Sequence, residues 1–542
     1  MGAYYTATPV ANFLATWAIR TATDTVLEPC CGDGVFLRAA TRRTAALGGD
    51  DGGANLSAVD IEINHEPYGI APAATILFED FFRVTPSLLG EHDAVIGNPP
   101  FVRYHRFNGE TRATALEIAR GLGVHLSGLT SAWVPFLLHA TRFLRHGGRL
   151  AVVAPYELTY AIYARPFVAY IAAHFANVTV LDFEEALFPE LNEKTVLLLC
   201  DGYGSKTDTI HFAHSASLAE LTAVSSERLV ADSSVSARDL AAGTARVRLL
   251  QAPTEVQQLY AQVAQDPRVL RLGDVASLTI GYVTGDNRFF HMSRARAAAL
   301  DLPHEAMRLA VRKGSDFADV GLGLTSADAE RLADVGDNLL FYPESDALHP
   351  AVTAYIASGE AELGASDSYK ARVRPTWWRV PGVQEPDMFL TVFGHTGPRL
   401  VVNDARVVAT NSVLVLRLNE RAPHARVLAA SACSSLAALS AEVEGHHLGG
   451  GALKFEPCEA RRWLLPAGEP TPDHVLADID AALRGGNMGK ATDLADRIFL
   501  VHGLGLGGEQ VSALRRTLHD LRQRRTKRRQ SHAARASKPC TN

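Results

Sequence analysis

An amide side chain, two prolines and an aromatic ring stand together at Asn98-Pro99-Pro100-Phe101, directly after the apolar run Asp93-Ala94-Val95-Ile96-Gly97. These residue types suit the transfer of a methyl group to an exocyclic amine. Such a nitrogen, adenine N6 above all, is a poor nucleophile because its lone pair is delocalised into the ring. The side-chain oxygen of Asn98 and the backbone carbonyl of Pro99 can each accept one N–H, turning the lone pair towards a methyl donor, while Phe101 can stack on the base. The prolines stiffen the loop and add no N–H of their own. A plain strand-ending turn is the other reading of an Asn-Pro pair.

The elements that must position this tetrapeptide lie upstream. The stretch Val26-Leu27-Glu28-Pro29-Cys30-Cys31-Gly32-Asp33-Gly34-Val35-Phe36-Leu37 reads as a strand, a tight glycine turn and a helix. Gly32 and Gly34 let backbone approach a ligand closely, although many α/β proteins use such a turn for packing. The spacing is not the GxGxxG of a dinucleotide site. A second strand, Leu56 to Glu62, carries Asp60 about 25 residues past the turn, where a carboxylate accepts ribose hydroxyls or is simply solvated. A third, Ile76 to Phe82, puts Asp80 near the same edge, within reach of an adenine amino group. Phe81 either covers the ring or joins the core. The tetrapeptide ends a fourth strand. Ligands of open α/β sheets bind beyond the carboxyl ends of the strands, so all four features fall on one rim. A helix around Trp133–Ala140 and strands at 149–154, 178–181 and 195–199 continue the pattern. Phe188, before Pro189, has two readings: an aromatic for an extruded base, or a core side chain.

Together these motifs resemble the S-adenosylmethionine-dependent amino-methyltransferases, most closely the DNA N6-adenine methyltransferases of the gamma arrangement. In that family an N-terminal cofactor motif, the glycine loop, NPP[YF] and a target-recognition domain follow in this order. Tyr5-Thr6-Ala7-Thr8-Pro9 is similar to the N-terminal motif, with Ala7 in place of its usual proline. The resemblance implies a Rossmann-like class I methyltransferase domain followed by a mixed α/β target-recognition domain. It implies that Tyr5, Thr6, Glu28, Cys30, Gly32, Gly34, Asp60, Ile61, Asp80 and Phe81 hold the cofactor. Asn98, Pro99, Pro100 and Phe101 then hold the target adenine, with Phe188 stacked on its other side. Gly281–Phe290, Asn403–Asn411 and Gly449–Pro457 are more loosely similar to segments of the recognition domain. The implied activity is site-specific methylation of a flipped-out adenine in double-stranded DNA, as in type II restriction-modification or defence, with a separate endonuclease as a possible partner. RNA or a protein amide as substrate, a non-catalytic DNA-binding subunit, and cytosine N4 as target atom are the alternatives. A fused nuclease is not expected, since the cofactor motif starts at residue 5.

Length and charge fit this organisation. The 542 residues, 47% hydrophobic, suffice for more than one domain. A change from apolar strands to Ser, Thr, Ala and charged residues between 202 and 249 places a boundary near 245. The expected domains are 1–245 catalytic, 246–470 recognition, and 471–542 a helical extension with a basic tail. The net charge of −6 conceals an uneven spread: residues 515–538 carry ten Lys/Arg against the single acid Asp520. Arg524, Arg525, Lys527 and Arg528 within that run read either as phosphate contacts or as a solvated tail. Arg374 and Trp377, in a basic and aromatic cluster with Trp378 and Arg379, read either as DNA contacts or as core and solvated surface. Six cysteines without a CxxC pair, and no apolar run of membrane-span length, point to a reduced cytoplasmic protein with no membrane span and no structural metal.

Overall fold

The computed structural model describes residues 6–49, 52–62, 69–104, 106–184, 187–188, 194–215, 217, 231–344, 349–361, 364–447, 451–468 and 471–536, with backbone alone at 447 and from 527 onward. The chain divides into two compact units, one built on Met1–Leu250 and the other on Gln251–Lys527.

Among the described residues the first unit has nine strands: β1 (Val26–Glu28), β2 (Leu56–Asp60), β3 (Thr75–Phe78), β4 (His92–Gly97), β5 (Leu144–Pro155), β6 (Phe175–Phe183), β7 (Thr195–Tyr203), β8 (Thr209–Ser215) and β9 (Ser233–Ser236). They lie in the order β3-β2-β1-β4-β5-β7-β6-β8-β9. β1 pairs in parallel with both β2 and β4, with Val26 opposite Leu56 on one side and Ala94 on the other. β7 runs antiparallel between β5 and β6. Strand order therefore reverses direction between β1 and β4, and the loops leaving these two strands part to open a crevice at their carboxyl ends.

β4 is buried along its whole length, as expected of a strand covered on both faces. Two apolar cores account for this. One face packs Leu27, Val59 and Val95 against helix Trp133–Thr141; the other packs Val26, Ala58 and Ile96 against helices Thr8–Ala18 and Val35–Ala46. Each buried Val or Leu contributes roughly 1.5–3 kcal/mol, so the sheet is a rigid base for the loops on its rim.

The second unit is mixed α/β. Among the described residues it holds two four-stranded sheets, a three-stranded one and a two-stranded one. Two of the segments singled out in the sequence meet there: Tyr282 bridges Thr410 in parallel, and Asn411 N–H donates to the Tyr282 carbonyl. Gly281 is needed at that crossing, because a Cβ would stand 2.1 Å from the Ala409 carbonyl oxygen. Helix Asp473–Arg484 places Leu476, Ile479, Ala482 and Leu483 in the core of this same unit. Among the described residues no single helix is long and apolar enough to cross a membrane.

Candidate active site

A cavity of about 470 Å³ opens on the rim of the first unit at the reversal of strand order. Its wall takes Thr6 from the segment before the first helix, Glu28 to Asp33 from the turn after β1, and Asp60 to Glu62 from the end of β2. Glu79 to Phe82 come from the end of β3, and Asn98, Pro99 and Pro100 from the end of β4. The size is that of a small-molecule site.

The glycine turn is held in shape by the strand beside it. Gly32 and Gly34 have φ of +50° and +74°, a region that costs an L side chain strain, and Gly34 caps helix Val35–Ala46. The Gly32 N–H donates to Asp60 Oδ2 at 2.6 Å, and Glu62 N–H donates to Oδ1 at 3.0 Å. Asp60 thus fastens the turn to the end of β2 while facing the cavity. Asp80 has a comparable double task. Its Oδ1 accepts from Phe82 N–H at 3.1 Å, capping a short helical turn at Phe81–Arg83, and its Oδ2 accepts from Thr111 Oγ1 at 3.0 Å. The third strand therefore stops at Phe78 rather than running to Phe82.

Glu28 is the most unusual group on the wall. It is 1% exposed, and neither carboxyl oxygen has a hydrogen-bond partner of normal geometry. Burial holds this carboxyl well above the usual carboxylate range; the charges of Asp33 and Asp60 add to the effect, while the Leu37 amide and Arg38 offset part of it. Burial likewise pushes the Cys30 thiol up, so it stays protonated and donates to the Asn98 carbonyl at 3.1 Å. The Asn98 side chain donates through Nδ2 to Thr6 Oγ1 at 3.2 Å, which joins the N-terminal segment to the end of β4.

Residues 68–188 match the family model described as the Eco57I restriction-modification methylase, and residues 248–500 match that of the C-terminal domain of the type II methyltransferase M.Eco57I. The chain is a methyltransferase of the restriction-modification type. Over 478 residues it is 25% identical to the type II methyltransferase M.XamI of Xanthomonas campestris pv. amaranthicola, covering 86% of this chain and 85% of that protein. Among solved structures it is similar to the type IIL restriction-modification enzyme MmeI in complex with DNA, with 12% identity, TM-score 0.50, and coverage of 98% of this chain and 73% of that one. The type IIG restriction endonuclease BpuSI is also similar, at 16% identity and TM-score 0.44 over 98% of this chain and 67% of that one. The fold is a Rossmann-like class I methyltransferase domain followed by a mixed α/β unit.

The cofactor of this methyltransferase is S-adenosylmethionine, and the cavity suits it. A turn with two glycines at positive φ leaves backbone free to approach a ligand, and the buried Glu28 carboxyl, its oxygens short of well-formed hydrogen bonds, suits the amino group of a ligand's amino-acid part. Ile61, 73% exposed at the end of β2, offers an apolar surface to a base.

The structure brings Thr6, Glu28, Cys30, Gly32, Asp60, Ile61, Asp80, Phe81, Asn98, Pro99 and Pro100 to one cavity. Gly34 stands behind it as the helix cap. Phe101 packs against both cores instead of lining the wall. Phe81 is only 4% exposed, its ring 4.9 Å from that of Phe136 and 4.6 Å from that of His139, so it forms the cavity's floor as well as core. Tyr5 lies outside the described residues. Thr111 was not legible as a site residue, since nothing in its helix's sequence marks the position that meets Asp80.

Several residues read as DNA contacts are occupied otherwise. Phe188 is 2% exposed and belongs to the core, which rules out stacking on a base in this conformation. Arg374 donates to the Val283 and Trp377 carbonyls at 2.6 and 3.2 Å and lies over the Phe290 ring. Trp377 packs 4.9 Å from the Phe289 ring and donates Nε1–H to Glu360. Arg525 is buried, with Nε and Nη2 on Glu442 at 2.9 and 2.7 Å and a further bond to the His395 carbonyl. Arg524 is half-buried and reaches Gln251 at 3.5 Å. The Lys527 and Arg528 side chains lie outside the described residues.

Proposed function

We propose that this methyltransferase is a site-specific DNA adenine-N6 enzyme of a type II restriction-modification or defence system, acting on double-stranded DNA beside a separate endonuclease. One observation carries the reading: Asn98, Pro99 and Pro100 line the same cavity as the glycine turn and the acids of β2 and β3. In this reading residues 1–245 are catalytic, 246–470 recognise the target, and 471–542 form the extension with its basic end. The M.XamI and MmeI resemblances support DNA as the substrate.

When bound, S-adenosylmethionine supplies a methyl group on a sulfonium that needs no further activation. Glu28, Asp60, Asp80 and the turn at Cys30–Gly32 bind and orient it. Asn98 accepts one N–H of the target amine through its side-chain oxygen, and the Pro99 carbonyl accepts the other, directing the lone pair at the methyl carbon. The link from Asn98 Nδ2 to Thr6 holds the amide in the rotamer that presents oxygen. The target base must leave the duplex to reach this rim, which costs a few kcal/mol of unstacking. In the second unit Lys370, Arg372 and Arg379 remain exposed for phosphate contacts.

The test is methyl transfer from radiolabelled S-adenosylmethionine to unmethylated DNA, followed by identification of the modified base. Label in N6-methyladenine, lost in Asn98→Ala, is expected. Label in N4-methylcytosine overturns the adenine assignment. Absence of label on DNA, with cofactor binding intact, overturns the DNA assignment.

A further inference from the structure

The second unit contains a cluster that the methyl-transfer reading does not use. His446, Glu456 and Glu459 bring an imidazole and two carboxylates together, with one potential ligand atom from each lying within 4.8 Å of the others. The backbone explains the meeting. His446 begins a short strand, His446–His447, that pairs antiparallel with Leu453–Lys454. The chain then enters the short helix Pro457–Ala460, with Glu456 at its N-cap and Glu459 within it. Hairpin and helix therefore fold back on each other across these three side chains.

Two observations point to a cation there. His446 Nε2 and Glu459 Oε1 are 3.3 Å apart. Two ligands each about 2.0–2.1 Å from a tetrahedral ion are separated by about 3.3 Å, so this pair already spans one edge of such a site. The second observation concerns the acid itself. The Glu459 side chain is 6% exposed and its Oε2 has no hydrogen-bond partner, while Oε1 accepts from the Cys458 thiol at 2.7 Å. A buried carboxylate oxygen left without a donor is costly, and the ordinary remedy in a protein interior is a paired charge or a metal ion.

We propose that His446, Glu456 and Glu459 form a site for a divalent transition-metal ion of the zinc class, which ties the hairpin to the helix after it. The imidazole favours such an ion over magnesium or calcium, which prefer all-oxygen sites. Water completes the coordination at the open position. Glu456 is the adjustable ligand: its side chain is 42% exposed and now holds the Lys454 ammonium, which an entering ion displaces. Cys458 keeps the Glu459 carboxylate turned towards His446. The cysteine spacing gave no hint of this site because its ligands are a histidine and two glutamates.

The experiment uses the full chain, stripped with chelator and titrated with Zn²⁺ alone by calorimetry, with bound metal measured by elemental analysis. Glu459→Gln keeps the shape and removes the charge; His446→Ala removes the nitrogen ligand. The wild-type chain is expected to hold about one more zinc than either variant, and zinc is expected to raise Tm in the wild type alone. Equal zinc uptake by wild type and variants, or no uptake by the wild type, overturns the proposal. Should Glu459→Gln fail to fold, Glu456→Gln, at a half-exposed position, carries the same comparison.

Discussion

In the first unit the acids Glu28, Asp60 and Asp80 stand on the wall of one cavity, whereas in the second three arginines, Arg399, Arg484 and Arg525, turn inward onto their own unit. Arg399 donates to the carbonyls of Phe317, Val320 and Gly321, Arg484 pairs with Asp328 and Asp480, and Arg525 pairs with Glu442 in full burial. The difference teaches how position converts charge into function. A polar residue at the carboxyl end of a parallel strand is delivered to a rim by the sheet itself. A basic residue in a helix or loop of a mixed domain has no such delivery, and Arg399, Arg484 and Arg525 settle on carbonyls or carboxylates of their own unit.

The sharpest way to break this contrast is Arg525→Ala. Removing the fully buried partner leaves the Glu442 charge with Arg522 beside it at 3.3 Å in place of two guanidiniums, at a cost of up to about 3–5 kcal/mol. Urea denaturation should show that loss, while DNA affinity of the still-folded variant stays unchanged. A fall in DNA affinity without loss of stability would return Arg525 to the nucleic-acid surface. Next in size is Asn98→Ala, expected to lower the methyl-transfer rate about 10²–10³-fold with cofactor affinity retained, as for loss of one positioned hydrogen-bonding group at a reacting centre. Single-turnover kinetics beside a cofactor-binding titration separate the two quantities. Asp60→Asn should weaken S-adenosylmethionine binding by about tenfold or more, because a charge-assisted acceptor becomes neutral and the glycine turn loses part of its anchor. Calorimetric titration measures it, and unchanged affinity would deny Asp60 its place in the cofactor site.

The smallest effect concerns Glu28 and pH. Burial raises its carboxyl in the folded state, so the native chain binds a proton that the unfolded chain has lost. That contribution is complete below the unfolded value of about 4.3 and declines as pH rises towards the folded value. Glu28→Gln should therefore raise Tm of the cofactor-free protein, and more so at pH 8 than at pH 5. A thermal-melt series across that range checks the sign; a larger gain at the acidic end refutes it.

Much of the rim was readable because its residues follow one another locally. Glu28, Gly32, Asp60, Asp80 and Asn98 each come one to five residues after an apolar run, and a strand end needs no distant partner to be recognised. Thr6 and Thr111 illustrate what local reading misses or cannot justify. Thr6 gains its meaning from Asn98, ninety-two positions away, and Thr111 from Asp80, thirty-one away. Phe188 and Trp377 could serve a ligand or a core equally well by type, and only the packing around each decides. Phe81 serves both.

By itself, then, the sequence determined which segments form the sheet's first strands, the turn that two glycines require, and the set of acids and amide that end those strands. These follow from short-range pattern and backbone sterics, which act within a few residues. Tertiary structure alone decided which charged groups reach solvent. It placed Arg525 against Glu442 and Arg374 against the Val283 carbonyl, and drew His446 to Glu459. The reason is that a buried charge must find its opposite or a dipole, and which one it finds depends on chain segments far apart in sequence.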